Sequence, residues 1–117
     1  MILSKFYCSA DGSLHMKAQG HAGAGPKGQD LVCAAATMLT YTLAQAVQFL
    51  YENDRLLEKP KIKILDGYAH ITVMPRRCSI SETLLAFWTV QAGAFVLERN
   101  YPQSVSLVAM EISNGKM

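Results

Sequence analysis

Cysteine is scarce. Cys8, Cys33 and Cys78 are three in 117 residues, an odd number with no CxxC spacing. Neither a complete disulfide framework nor a zinc-binding pattern is expected, and reduced thiols in a cytoplasmic protein are the economical reading. Charge is scarce too. Only 17% of residues are charged and the formal net charge is +2, with the eleven Lys and Arg scattered apart from a Pro75-Arg76-Arg77 corner. That balance is too small to imply binding to nucleic acid or an acidic membrane. The N-terminal stretch 1–8 lacks the unbroken apolar core of a signal peptide and alternates like a strand. No charged residue falls between Leu31 and Tyr51, long enough to raise a membrane span. Thr37, Thr40, Thr42, Gln45 and Gln48 interrupt the run, so a helix of a soluble protein is expected there.

Half of the residues are hydrophobic, enough to collapse into a core, and the length suits one domain over residues 1–117. Residues 2–10 alternate, Asp11-Gly12 signals a turn, and residues 14–18 alternate again, which predicts an opening hairpin. Asp30 suits an N-cap for a helix carried by Val32, Ala36, Leu39, Leu43, Val47 and Leu50 and ending near Tyr51. A second hairpin pairs residues 61–65 with 69–73 across Asp66-Gly67. Ser79-Ile80-Ser81-Glu82 fits a capping box for a second helix through Leu84, Phe87, Trp88, Gln91 and Phe95, stopping before Tyr101-Pro102. A last strand is expected near 105–110. The order ββαββαβ implies an α+β fold, a mainly antiparallel sheet covered by two helices. Tyr41, Phe49, Tyr51, Val90 and Leu97 fall off the main helical stripes, and such surplus apolar surface predicts a homodimeric sandwich.

Chemistry concentrates in one stretch, from Gly20-His21 to Asp30-Leu31-Val32-Cys33. It sets a histidine and a cysteine on opposite sides of a glycine-rich loop. With Asp30 as cap, Cys33 stands in the first helical turn, beside backbone N–H groups that lack carbonyl partners within the helix. Helix N-termini and a neighbouring imidazolium favour the thiolate, the nucleophilic form, and the same N–H groups suit an oxyanion. Cys33 as nucleophile and His21 as general base are therefore candidates for cysteine hydrolase chemistry, set against the commoner buried, inert cysteine. Asp30 reads as helix cap or third catalytic member. Cys8, Cys78, His15 and His70 read as structural or surface residues. No metal site and no cofactor is expected. The loop, residues 22 to 29, is expected to order over bound substrate as a lid, because fixing glycine costs much backbone entropy.

Gly23-Ala24-Gly25-Pro26-Lys27-Gly28 is also a literal GxGxxG between strand and helix, so a nucleotide- or phosphate-binding module is a rival reading. Pro26 removes a backbone donor, and the preceding strand reads as a hairpin arm rather than part of a parallel βαβ unit.

Gly20-His21-Ala22, Gly28 and Asp30-Leu31-Val32-Cys33-Ala34-Ala35 together resemble the bacterial ribosomal-processing cysteine protease family, and the likeness extends over nearly the whole chain. The resemblance implies a homodimeric cytoplasmic endopeptidase without cofactor. Its substrate would be the precursor of a large-subunit ribosomal protein, from which it removes a short N-terminal extension, cutting after an aromatic residue. It implies catalytic roles for His21 and Cys33. Asp30, Gly23, Gly25 and Gly28 become supporting residues, and Thr37 a substrate contact where family members often carry serine. A non-catalytic ribosome-associated binding protein is the remaining alternative.

Overall fold

The computed structural model describes residues 1–23 and 30–110. Within them run β1 (Ile2–Cys8), β2 (Leu14–Gly20), α1 (Leu31–Glu52), β3 (Lys61–Leu65), β4 (Tyr68–Val73), α2 (Ile80–Asn100) and β5 (Val105–Val108), with a 3-10 turn at Arg77–Ser79 before α2. The expected ββαββαβ order and α+β class are those found. The strands form one sheet in the order β3-β4-β2-β1-β5, antiparallel throughout except where β5 lies parallel to β1.

Alternation in the strands puts one set of side chains inward: Ile2, Ser4 and Phe6 of β1, Leu14 and Met16 of β2, and Ala69, Ile71 and Val73 of β4 are buried. Both helices lie on that face. Phe6, Met16, Leu43, Ile71 and Phe87 share a core between sheet and helices. Gly12 and Gly67, at φ +92° and +73°, supply the left-handed turn positions that let the two hairpins close.

Each helix is long and apolar enough to cross a membrane. In this fold α1 turns Val32, Thr40, Leu43 and Val47 inward, and α2 turns Thr83, Phe87, Val90, Gln91 and Ala94 inward. Two features of α2 differ from the sequence reading. Val90, expected off the stripe, is buried, whereas Phe95, expected on it, is 47% exposed. The cause is that α2 packs on α1 as well as on the sheet. The helices approach so closely that a Cβ on Gly93 would stand 2.5 Å from Leu39 Cδ2, which rotates the buried arc toward Val90 and Ala94. Ser79 also departs from the capping box, making no side-chain cap bond. The 3-10 turn ties its N–H to Arg76, and its carbonyl accepts from the Thr83 hydroxyl instead.

Candidate active site

Where β2 ends, the chain leaves the sheet through Gly20 at φ +100°, and the Gly20 N–H donates to the Gly67 carbonyl over 2.9 Å. That bond joins the end of β2 to the β3–β4 turn. His21 follows and rests its ring on the turn, so near that a Cβ on Gly67 would lie 2.8 Å from His21 Nε2. His21 is exposed, while Ala22 beside it is buried with Ile2, Val32 and Val105, and Cys33 packs against this small cluster.

Asp30 begins α1 as its sequence position predicts. With an extended backbone (φ −82°, ψ 97°), it accepts the Cys33 N–H on Oδ1 at 3.0 Å. This corrects one expectation. The Cys33 N–H is taken by the cap and the Ala34 N–H by the Asp30 carbonyl, so neither is free for an oxyanion. The N–H groups of Leu31 and Val32 have no hydrogen-bond partner among the described residues.

Cys33 Sγ accepts the Ala22 N–H at 3.3 Å. The backbone next to the candidate base therefore touches the candidate nucleophile, although Ala22 and Cys33 are eleven positions apart in the chain. Among the described residues no hydrogen bond joins the His21 ring to Sγ. Both side chains line one cleft of about 820 Å³. One wall is α1, where Cys33, Thr37 and Tyr41 follow one another at four-residue intervals along a helical face; the other is the β3–β4 hairpin, with Leu65, Asp66 and Tyr68. Thr37 is exposed on the cleft, and its hydroxyl bonds to no described residue. Gly23 lines the cleft as well, whereas Gly25 and Gly28, and with them most of the expected lid, lie outside the described residues. Tyr41, Leu65, Gly67 and Tyr68 are cleft residues that the sequence reading missed. The four-residue step from Cys33 through Thr37 to Tyr41 was the available signal for the first; nothing local marks the hairpin residues as neighbours of Cys33.

The nucleotide reading requires a parallel βαβ unit, and β2 pairs only with antiparallel neighbours, β1 and β4. Among the described residues no group of three or more His, Cys, Asp and Glu is placed to hold a metal.

A cysteine in the first turn of a helix, sharing an open cleft with a histidine on a two-layer α+β scaffold, points to the class of cysteine hydrolases. The particular family follows from sequence. The family described as Cysteine protease Prp matches residues 1–106, and the chain belongs to it. Among solved structures, the chain is similar to an essential ribosomal processing protease Prp from S. aureus in complex with a covalently linked product peptide, at 23% identity and a TM-score of 0.71, covering 95% of this chain and 100% of that one. The same S. aureus protease with a substrate peptide matches at 22% identity and a TM-score of 0.65, over 95% and 100% of the two chains. SMU.848 from Streptococcus mutans matches at 26% identity and a TM-score of 0.66, over 95% and 96%. No curated protein matches.

Proposed function

We propose that this cysteine protease removes a short N-terminal extension from the precursor of a large-subunit ribosomal protein, cutting after an aromatic residue, with Cys33 as nucleophile and His21 as general base. The observation that carries the site assignment is the 3.3 Å bond from the Ala22 N–H to Cys33 Sγ inside the cleft that His21 lines. The ribosomal-processing proteases among the similar structures support the substrate class. Support for an aromatic residue before the cut comes from Tyr41, Ile64, Leu65 and Tyr68, which give the cleft apolar and aromatic walls.

In the reaction His21 swings from its place on Gly67 and takes the proton of the Cys33 thiol. The thiolate adds to the scissile carbonyl carbon, and the oxyanion formed would draw on N–H donors at the start of α1. The intermediate collapses to a thioester as the imidazolium protonates the leaving amine. Water activated by the neutral imidazole then hydrolyses the thioester and frees the thiol. Asp30 holds the helix start through the Cys33 N–H, and Thr37 contacts substrate.

The active form is a homodimer in the cytoplasm, which accords with three free cysteines and with exposed Met38, Phe49, Leu85 and Val96 on the helical layer. Light scattering at micromolar concentration should report two copies; a monomer refutes the dimer. The assay for function is cleavage of the organism's own ribosomal-protein precursor, read by mass spectrometry. Wild type should cut once, after an aromatic residue. Cys33→Ala and His21→Ala should leave the precursor intact. Cleavage by Cys33→Ala overturns the assignment, and binding without cleavage by wild type replaces it with the non-catalytic reading.

A further inference from the structure

The helices cover one face of the sheet and leave the other open. Register then gathers what the sequence scatters. Lys63 pairs with His70, His70 with Lys17 and Lys17 with Lys5, so one lateral row crosses four strands on the open face. At a strand spacing of about 4.8 Å this row is roughly 14 Å long. The next row is Lys61, Thr72, His15 and Tyr7, again direct partners. Four of the eleven Lys and Arg stand on the outward side of the strands and none of the nine Asp and Glu does, leaving seven cations against nine anions for the rest of the chain. The net charge of +2 conceals this separation.

The open face also carries rings. Tyr7 and His15 stack with centroids 4.5 Å apart and planes 4° from parallel, and Lys17 Nζ lies 5.8 Å from the centroid of Tyr68. The far side of the Tyr7 ring is not covered by β5, whose pairing with β1 ends at Lys5. Hydrogen-bonding groups lie between the cations: Thr72 Oγ1 is 3.2 Å from His15 Nδ1 and 3.3 Å from His70 Nε2. Beside them runs a groove of about 640 Å³ lined by Lys59, Lys61 and Lys63; its carboxylates are Glu58 and Asp11, the latter already bonded to Ser13.

We propose that this open sheet face binds a single-stranded segment of RNA. Lys5, Lys17, Lys61 and Lys63 would meet phosphates, and a base would extend the Tyr7–His15 stack. The occupant follows from complementarity. A surface whose outward strand positions carry lysines and no acid attracts polyanions, exposed rings on such a surface stack bases of any sequence, and polar groups between them suit the 2′-hydroxyl. An acidic peptide would use the lysines and leave the rings idle, and a lipid surface would use the lysines and tyrosines but leave the Thr72, His15 and His70 groups between them idle. The inference reverses the expectation drawn from net charge.

The test is fluorescence anisotropy of a labelled twelve-nucleotide RNA with the full chain between 50 and 200 mM salt. Four lysine–phosphate contacts predict a slope of log K against log salt of about −3, and Lys5→Ala or Lys63→Ala should each flatten it by about 0.7. Tyr7→Leu should weaken binding about fivefold or more with the slope unchanged. Cleavage of a peptide substrate by these variants should equal wild type, which shows that they fold. No binding at 50 mM salt overturns the proposal. So does indifference to Tyr7→Leu combined with equal competition by polyglutamate, tighter binding to phosphatidylglycerol vesicles than to RNA, or a lysine variant that changes the oligomeric state, since a second copy would then occupy the face.

Discussion

Asp30 accepts the Cys33 N–H, and that one bond separates two roles for its carboxylate. Losing an N-cap costs about 1 kcal/mol, and asparagine caps as well as aspartate. Asp30→Ala should therefore lower the melting temperature by roughly 5 °C. Asp30→Asn should leave both melting temperature and cleavage near wild type if the residue is only a cap. A hundredfold loss of cleavage in a fully stable Asp30→Asn protein would make it a catalytic member. Cysteine reactivity gives a second check at this scale. Cys8 and Cys78 are exposed and Cys33 is only partly so. Exposure alone would have iodoacetamide label Cys8 and Cys78 first; activation by the helix start and His21 predicts Cys33 first, by peptide mapping at neutral pH.

At the scale of elements, the β3–β4 hairpin is a wall of the cleft and the seat of the candidate base. A side chain at Gly67 would strain a φ of +73° and press on the His21 ring. Gly67→Ala should cost about 1–2 kcal/mol and reduce cleavage tenfold or more. Gly67→Asn separates the effects. Asparagine tolerates the left-handed region, so stability should largely return while cleavage stays low, because its Cβ occupies the same place. Equal cleavage by Gly67→Asn and wild type would show that the ring does not depend on this seat. The turn illustrates what sequence conveys. Asp66-Gly67 announced a hairpin because turn chemistry is local, and Asp30 announced a helix start for the same reason. That the turn carries His21 depends on β2 pairing with β4 some fifty residues away, a contact with no local signature. The open face was hidden likewise, since Lys5, Lys17 and Lys63 become neighbours only through register.

For the whole molecule, the open face bears on stability against acid. His15 Nε2 lies 2.9 Å from both Ser9 Oγ and Ser13 Oγ, the latter donating to Asp11, and His15 Nδ1 lies 3.1 Å from His70 Nε2. Burial, then the charge of His70, pushes the His15 pKa below 6.5 despite Asp11; burial, then Lys17, does the same to His70. A depressed histidine pKa means that the unfolded chain takes up protons first as pH falls. Stability should hold steady above pH 6.5 and decline below it, through the folded-state pKa values. Melting temperature measured from pH 8 to pH 5 should show this decline, and His70→Asn should make it shallower. An unchanged profile in His70→Asn would remove the pair from the account. Asp11, lowered from 3.8 mainly by its bond from the Ser13 side chain, adds a separate loss at more acid pH.

The parallel pairing of β1 with β5 brings together residues more than a hundred positions apart, Ile2 beside Val105, and the Ile2 N–H donates to the Ser104 carbonyl. Ile2 is also part of the cleft. During synthesis, at about 5–20 residues per second, β1 waits roughly 5–20 s for its last neighbour. From the synthesis of residue 33 until then, the nascent chain has both candidate catalytic side chains but an unpaired β1 edge beside the cleft. Proteolysis is therefore expected to begin only once the last strand is made. Chains halted before residue 104 should fail to react with a peptide-based covalent inhibitor that labels the released protein, and equal labelling of the two would show that the cleft matures without its last strand.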